Sequence, residues 1–249
     1  TSKIERNSPT GIHHRLMTNP EYALRFGDLV QQHFFHDGAM TPEATQALYA
    51  QRSDQIDLVM RVESARWGDN QIDQGRRKRY LREDWVNNRQ WLYENYFPDR
   101  TEVVLQQFES RDWFVAGQAP EFSVDGSPQH GGQVDPGGQL TMAAPEGTIY
   151  FTLDGSDPLA DGGELSPTSQ AYTDGMAINA VVNVNARMRR DDGSWGPISS
   201  ARFTVGAPAD ASSLRISEIH YHPSSATPTE IAAGFGDADE FEFIELVNI

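Results

Sequence analysis

Apolar residues in this chain change their spacing near residue 119, and that change constrains the fold more than any other feature. Before it, Tyr22, Phe26, Leu29, Val30 and Phe34 recur at the three-to-four spacing of one helix face. After it, runs alternate with period two over Leu140–Ala143, Thr148–Leu153, Ile178–Met188 and Ala201–Val205. Alternation of that kind, punctuated by Gly and Pro clusters, is the pattern of short antiparallel strands in a small sandwich. The chain is therefore expected to be multi-domain, with a mainly α N-terminal segment over 1–118 and a β-sandwich over 119–206.

Local start signals refine the helical part. Asn19-Pro20-Glu21 places a capping side chain, a proline at the first helical position and an acid in the first turn. Asp37-Gly38 ends that helix. Thr41-Pro42-Glu43 repeats the signal and predicts a long helix to Arg66, with Leu48, Ile56, Val59, Met60 and Val62 turned inward. Gly68-Asp69-Asn70 breaks it, and Gln71 to Arg82 reads as a polar, basic loop. Trp85, Leu92 and Tyr96 mark a third helix ended by Pro98. Val103, Val104, Leu105 and Phe108 mark a short fourth.

In the β part, Val184, Ala186 and Met188 are expected on one strand face and Asn185, Arg187 and Arg189 on the other. Residues 207–213 have linker composition. Leu214–Tyr221 and Glu240–Ile249 then read as two strands of a third, truncated unit over 214–249, since two strands do not fold alone. The first residue is Thr rather than Met, and the last residues read as mid-strand, so an interior piece of a longer protein is expected.

Charge narrows the classes of partner. Of the formal charge of −16 over 249 residues, the helical part carries −2 and the two β parts −7 each. An acidic surface repels nucleic-acid phosphates and anionic membranes, so neither is expected as a partner. No apolar run approaches the roughly 20 residues of a membrane span. The absence of cysteine excludes a disulfide scaffold, a thiolate zinc site and a thiol nucleophile.

Several residue groups have spacing that fits chemistry. Glu63, Arg66, Trp67 and Asp69 are the sharpest. The first three share a helix face and read either as a buried ion pair with an aromatic plug or as a substrate-facing brace. Arg76, Arg77, Lys78 and Arg79 form a basic run, either an anion site or a solvated loop. Glu218, His220 and His222 alternate along one strand, as a zinc pair or as an ordinary strand surface. His13 and His14 are adjacent, point apart and make a poor metal pair. Asp154, Asp157, Asp161 and Glu164 crowd one turn, either around calcium or bonding the turn's own backbone. Trp195, Tyr150 and Tyr172 read as a sugar platform or as sandwich core and rim.

Three stretches carry family likenesses. Residues 1–118 resemble the C-terminal helical part of the CotH kinase family, through Leu16-Met17-Thr18-Asn19-Pro20-Glu21-Tyr22, Gly38-Ala39-Met40-Thr41 and Glu63-Ser64-Ala65-Arg66-Trp67-Gly68-Asp69. Trp85 and Tyr96-Phe97-Pro98-Asp99-Arg100 continue it. Residues 119–206 are similar to the Fn3-like sandwich at the C-terminus of chitobiases and hexosaminidases, also described as Fn3-associated. The carrier is Gly147-Thr148-Ile149-Tyr150-Phe151-Thr152-Leu153-Asp154-Gly155-Ser156-Asp157-Pro158. Residues 214–249 resemble the start of a lamin-tail domain, through Ile216-Ser217-Glu218-Ile219-His220-Tyr221-His222-Pro223 and Glu242-Phe243-Ile244-Glu245-Leu246-Val247-Asn248.

The first resemblance implies phosphoryl transfer from ATP with Mg²⁺ in an intact extracellular or cell-surface bacterial parent, its acidic motifs lying upstream. No catalytic residue carries over to this chain. It holds no Gly-rich phosphate loop, and its two lysines, Lys3 and Lys78, lack a strand context. The chain alone is expected to be non-catalytic, with no cofactor of its own. Its expected partners are the parent's other domains, surface proteins or a polysaccharide; the alternative is an adhesion or polysaccharide-binding scaffold.

Overall fold

A computed structural model describes residues 8–70, 79–206 and 213–248. The chain divides into two compact units, Thr1–Val205 and Gly206–Ile249. The expected switch from helix to strand at residue 119 is present, but the helices and the sandwich share the first unit. The two units divide after Val205, and residues 207–212 of the expected linker lie outside the described residues.

In the first unit, helix α1 (Pro9–Leu16) leads into α2 (Pro20–Phe34). The Asn19 side chain caps α2 by accepting from the Glu21 and Tyr22 amides at 2.9 and 3.1 Å. A cap of this kind stabilises a helix by roughly 1 kcal/mol. Past the helix, Gly38 is obligatory for steric reasons, because a Cβ there would lie 2.4 Å from the His33 carbonyl oxygen. Helix α3 (Pro42–Trp67) is capped by Thr41, whose hydroxyl accepts from the Ala44 amide. Helices α4 (Arg82–Asn95) and α5 (Phe97–Glu109) meet at Tyr96 and pack with α3. Pro98 thus opens α5 as well as closing α4. Helix α1 has a Ser8 cap and a proline at its first position, a start signal the apolar spacing does not reveal.

The inward face of α3 differs from the expected one. Leu48, Ile56, Val59 and Val62 are exposed, and the buried residue of the helix is Ser53. At about 100° per residue these four lie on one stripe, and Tyr49, Ser53 and Met60 lie on the next. The second stripe faces the neighbouring helices. Tyr49 and Tyr93 ring centroids lie 5.2 and 6.1 Å from that of Phe97. Asp54 and Asp57 pair with Arg89 at 2.7 Å and Arg82 at 2.5 Å. Large aromatic rings and ion pairs set the rotation, and the aliphatic stripe is left on the surface. A second aromatic group joins α2 to α5, with Phe26 and Phe34 against Phe108 at 5.2 and 5.9 Å.

The sandwich has two sheets. One runs β2 (Ser127–Pro128), β1 (Glu121–Val124), β4 (Gly138–Ala143), β7 (Met176–Ile178). The other runs β3 (Gly132–Val134), β9 (Ser199–Val205), β8 (Val182–Arg189), β5 (Thr148–Thr152), β6 (Gln170–Ala171). Pairing is antiparallel except between β3 and β9. The run expected as one strand over Ile178–Met188 is two, β7 and β8, which lie in different sheets. Leu140, Val184, Ala186 and Phe203 fill the core between them at zero exposure. Gly147 turns the chain between β4 and β5 at φ +66°, and a Cβ there would meet the Arg189 carbonyl oxygen at 2.2 Å.

In the second unit, β10 (Leu214–His220) and β11 (Phe243–Asn248) form an antiparallel hairpin with a register shift between Ile216 and Glu218. A short helix, α6 (Pro228–Ala232), lies in the connection. Ile216, Ile219, Ile244 and Leu246 are exposed on this hairpin. No helix among the described residues is long and apolar enough to cross a membrane.

Candidate functional site

Arg187 lies on the face of β8 opposite the core, where alternation places it beside Asn185 and Arg189. It is nonetheless only 2% exposed. Helix α2 covers it, and Asp28 from that helix, 5% exposed at its side chain, reaches in from above. The guanidinium donates from Nη1 and Nη2 to the two carboxylate oxygens of Asp28, each at 2.8 Å. From Nε and Nη2 it donates to the two oxygens of Asp157 at 2.7 Å, and from Nη1 to the Gly196 carbonyl at 3.0 Å. A guanidinium has five N–H donors, and here all five are used. The Ile198 amide donates in turn to Asp28 Oδ1 at 2.9 Å.

Burial disfavours the Arg187 charge, but the hydrogen bonds it donates to Asp157 and Asp28 outweigh that and hold the group more firmly protonated than usual. The strand supplies the cation, the turn after β5 one carboxylate and α2 the other. A buried pair of this quality is geometric glue: replacing it with apolar groups is often neutral, but breaking it is costly.

Beside this network lies a cleft of about 580 Å³ between the end of α2 and the sandwich. Asp28, Asp157, Arg25, His33, Asp37 and Asn185 line it, with His36 and His130 at one side. The two imidazoles stack with centroids 3.6 Å apart and planes 2° from parallel. His130 continues onto the Phe122 ring at 5.3 Å. Its Nε2 lies 3.0 Å from the Ser200 carbonyl, an acceptor, so Nε2 carries the proton. Nδ1 is then a bare acceptor, buried without a partner. Burial, and then the neighbouring His36, push His130 down to about 4. Burial also lowers His36, against the opposing pull of Asp37 and Glu121.

The residue groups singled out by spacing mostly stand elsewhere. Glu63, Arg66, Trp67 and Asp69 are exposed at the end of α3, so neither the buried ion pair nor the aromatic plug forms. Arg66 instead lies over the half-exposed Trp67 ring at 4.9 Å, and Asp69 pairs with Arg79 at 2.9 Å on the surface. Of the basic run, Arg76, Arg77 and Lys78 lie outside the described residues.

Glu218, His220 and His222 do not converge. Glu218 and His220 stay in continuous register past the shift, but His220 Nδ1 donates to the Phe241 carbonyl at 3.1 Å, and His222 lies past the strand at φ +54°. His222 instead approaches Asp239 and Glu242, with ligand-type atoms within 4.8 Å, all three residues exposed. His13 packs edge-on against Trp113 at 4.4 Å and hydrogen-bonds the Tyr22 hydroxyl at 2.9 Å. In the acidic turn, Asp154 accepts from the Ser156 amide and hydroxyl at 2.9 and 2.6 Å, as a turn that satisfies its own backbone does. Tyr172 packs on the core near Phe151, away from Trp195, so the three aromatics form no common platform.

Spacing missed Asp28, Arg187, His36 and His130, for good physical reason. The pairs that matter bridge 159 and about 90 residues, and an arginine on an outward strand position ordinarily meets water. No curated protein and no solved structure gives a significant match to the chain. Residues 139–203, from β4 into β9 and including Asp157 and Arg187 but not Asp28, match the family described as Fn3 associated.

Proposed function

We propose that this chain is a non-catalytic supporting region of an extracellular or cell-surface bacterial protein kinase of the CotH type. On this reading the Fn3-associated sandwich is a rigid platform, the helices are the part of the kinase seated on it, and the hairpin unit of lamin-tail type links to other surface components. The observation that carries it is the docking of Arg187 onto Asp28 and Asp157 by four hydrogen bonds, with a fifth to the Gly196 carbonyl, which fixes the helices on the sandwich and commits these two carboxylates to structure. On this reading the chain holds no ATP or Mg²⁺ itself, which is supported by the absence of a phosphate loop in the sequence and by the commitment of Asp28 and Asp157 to Arg187. ATP and Mg²⁺ belong to the parent's catalytic part.

The test compares Mg²⁺-dependent phosphate transfer from ATP by the full-length gene product and by this 249-residue chain. Transfer by the former alone is expected. Transfer by the short chain, or none by a full-length protein with intact acidic motifs, overturns the proposal.

One observation favours a second reading, a polysaccharide-binding scaffold. A groove of about 500 Å³ is lined by Trp113, Phe114 and Trp195 with Gln118 and Arg190 beside them. Aromatic faces with planar polar neighbours suit sugar rings. Retention of the chain on chitin or a glycan array, lost in Trp195→Ala, would favour this reading; no retention on any glycan would remove it.

A further inference from the structure

We propose that the stacked His36–His130 pair is an acid-released latch, which holds the end of α2 on the sandwich while neutral and opens the cleft when protonated. The inference rests on the docking of helices on sandwich and not on the kinase reading, so either can fail alone.

His36 belongs to the turn that follows α2, and His130 to the loop between β2 and β3 of the sandwich. Their face-to-face contact at 3.6 Å leaves two neutral rings in close dispersion contact with no charge between them. Two imidazolium ions at that distance repel each other; Phe122 covers the far face of His130, and His36 on the near side is exposed. The bare, buried Nδ1 of His130 is the atom that takes the proton. It then becomes a charged donor with no acceptor, which costs more than the neutral orphan.

The surrounding charges do not remove the effect. Asp37 beside His36 and Glu121 on β1 favour protonation of His36, but burial outweighs them. Asp37 also acts weakly on His130 in the same sense. Arg187 offsets one of the two charges of Asp28 and Asp157 in the same cleft, Arg25 lies 4.0 Å from Asp28, and His33 lines the cleft beside them.

The sign follows from linkage. A histidine whose folded value lies below its ordinary 6.5 takes up a proton on release. The closed state is therefore fully favoured above pH 6.5 and loses ground as pH falls towards about 4. The loss is about tenfold in the opening equilibrium per pH unit for each proton taken up.

Amide hydrogen exchange of the whole chain, corrected for the intrinsic rate, tests this at pH 7.5 and 5.0. Protection in the last turns of α2 and in residues 129–134 should fall by about thirtyfold, one proton over about 1.5 units. Amides of β8 should hold. His130→Phe keeps a ring between His36 and Phe122 but cannot take the proton, and its loss should stay within about threefold. An equal loss in this variant, or a loss spread evenly over the sandwich, overturns the proposal. Imidazole ¹⁵N spectra of the unaltered chain decide the matter should the variant not fold. His130 neutral and Nε2-protonated at pH 5.5 is expected; titration near 6.5 overturns the latch.

Discussion

Substituting Arg187 by Met should destabilise the first unit by about 3–5 kcal/mol, the usual cost of leaving a buried charge without its partner. For a unit of this size each kcal/mol moves Tm by about 2–4 °C, so a fall of roughly 6–20 °C is expected by calorimetry. Asp28 is the reason. Its carboxylate would keep the Ile198 amide but lose both guanidinium bonds at an almost fully enclosed site. Asp157 would suffer less, because its side chain is 38% exposed and water can replace the arginine. The double variant Asp28→Leu, Arg187→Met separates glue from specificity. Recovery of most of the lost stability is expected, since apolar replacement of a whole buried pair is often neutral. A single variant that melts within 2 °C of the unaltered chain would show that the pair does not hold the helices down.

The other large effect is expected at Phe203. It has zero exposure between the two sheets and meets Phe122 edge-on at 6.2 Å. Phe203→Ala removes that contact and leaves a cavity that the two sheets cannot collapse to fill, at about 3–5 kcal/mol. Urea unfolding followed by circular dichroism measures it, through a lower midpoint at unchanged slope. Val59→Ser on the surface stripe of α3 is the contrast, expected within about 0.5 kcal/mol. A Val59 effect as large as that at Phe203 would mean that the stripe is covered in solution.

These two sites differ in how far the sequence announced them. Phe203 sits in an alternating run, and alternation alone puts it, with Val184, Ala186 and Met188, on a core face. The helix starts at Asn19-Pro20-Glu21 and Thr41-Pro42-Glu43 are equally legible, because a cap, a proline and an acid act within one turn of chain. The inward face of α3 is not. Its aliphatic stripe has proper helical spacing, yet the partner helices offered Tyr93, Phe97, Arg82 and Arg89, which fit the adjacent stripe. The Glu63–Asp69 group has a memorable spacing and a surface location, since spacing on one helix does not say whether another element covers it.

What the sequence by itself determined is the set of local decisions. It set where helices begin, that strands follow residue 119, that charge gathers on the β parts, and which strand face is core. What only the tertiary structure decided is the meaning of the opposite face. There alternation places Arg187 only on the face away from the core, and it is α2, laid over that face, that supplies Asp28. The physical reason is range. Caps and periodicity act within a few residues, whereas the burial that turns an arginine into a clasp, or two histidines into a stack, depends on elements brought together from distant parts of the chain.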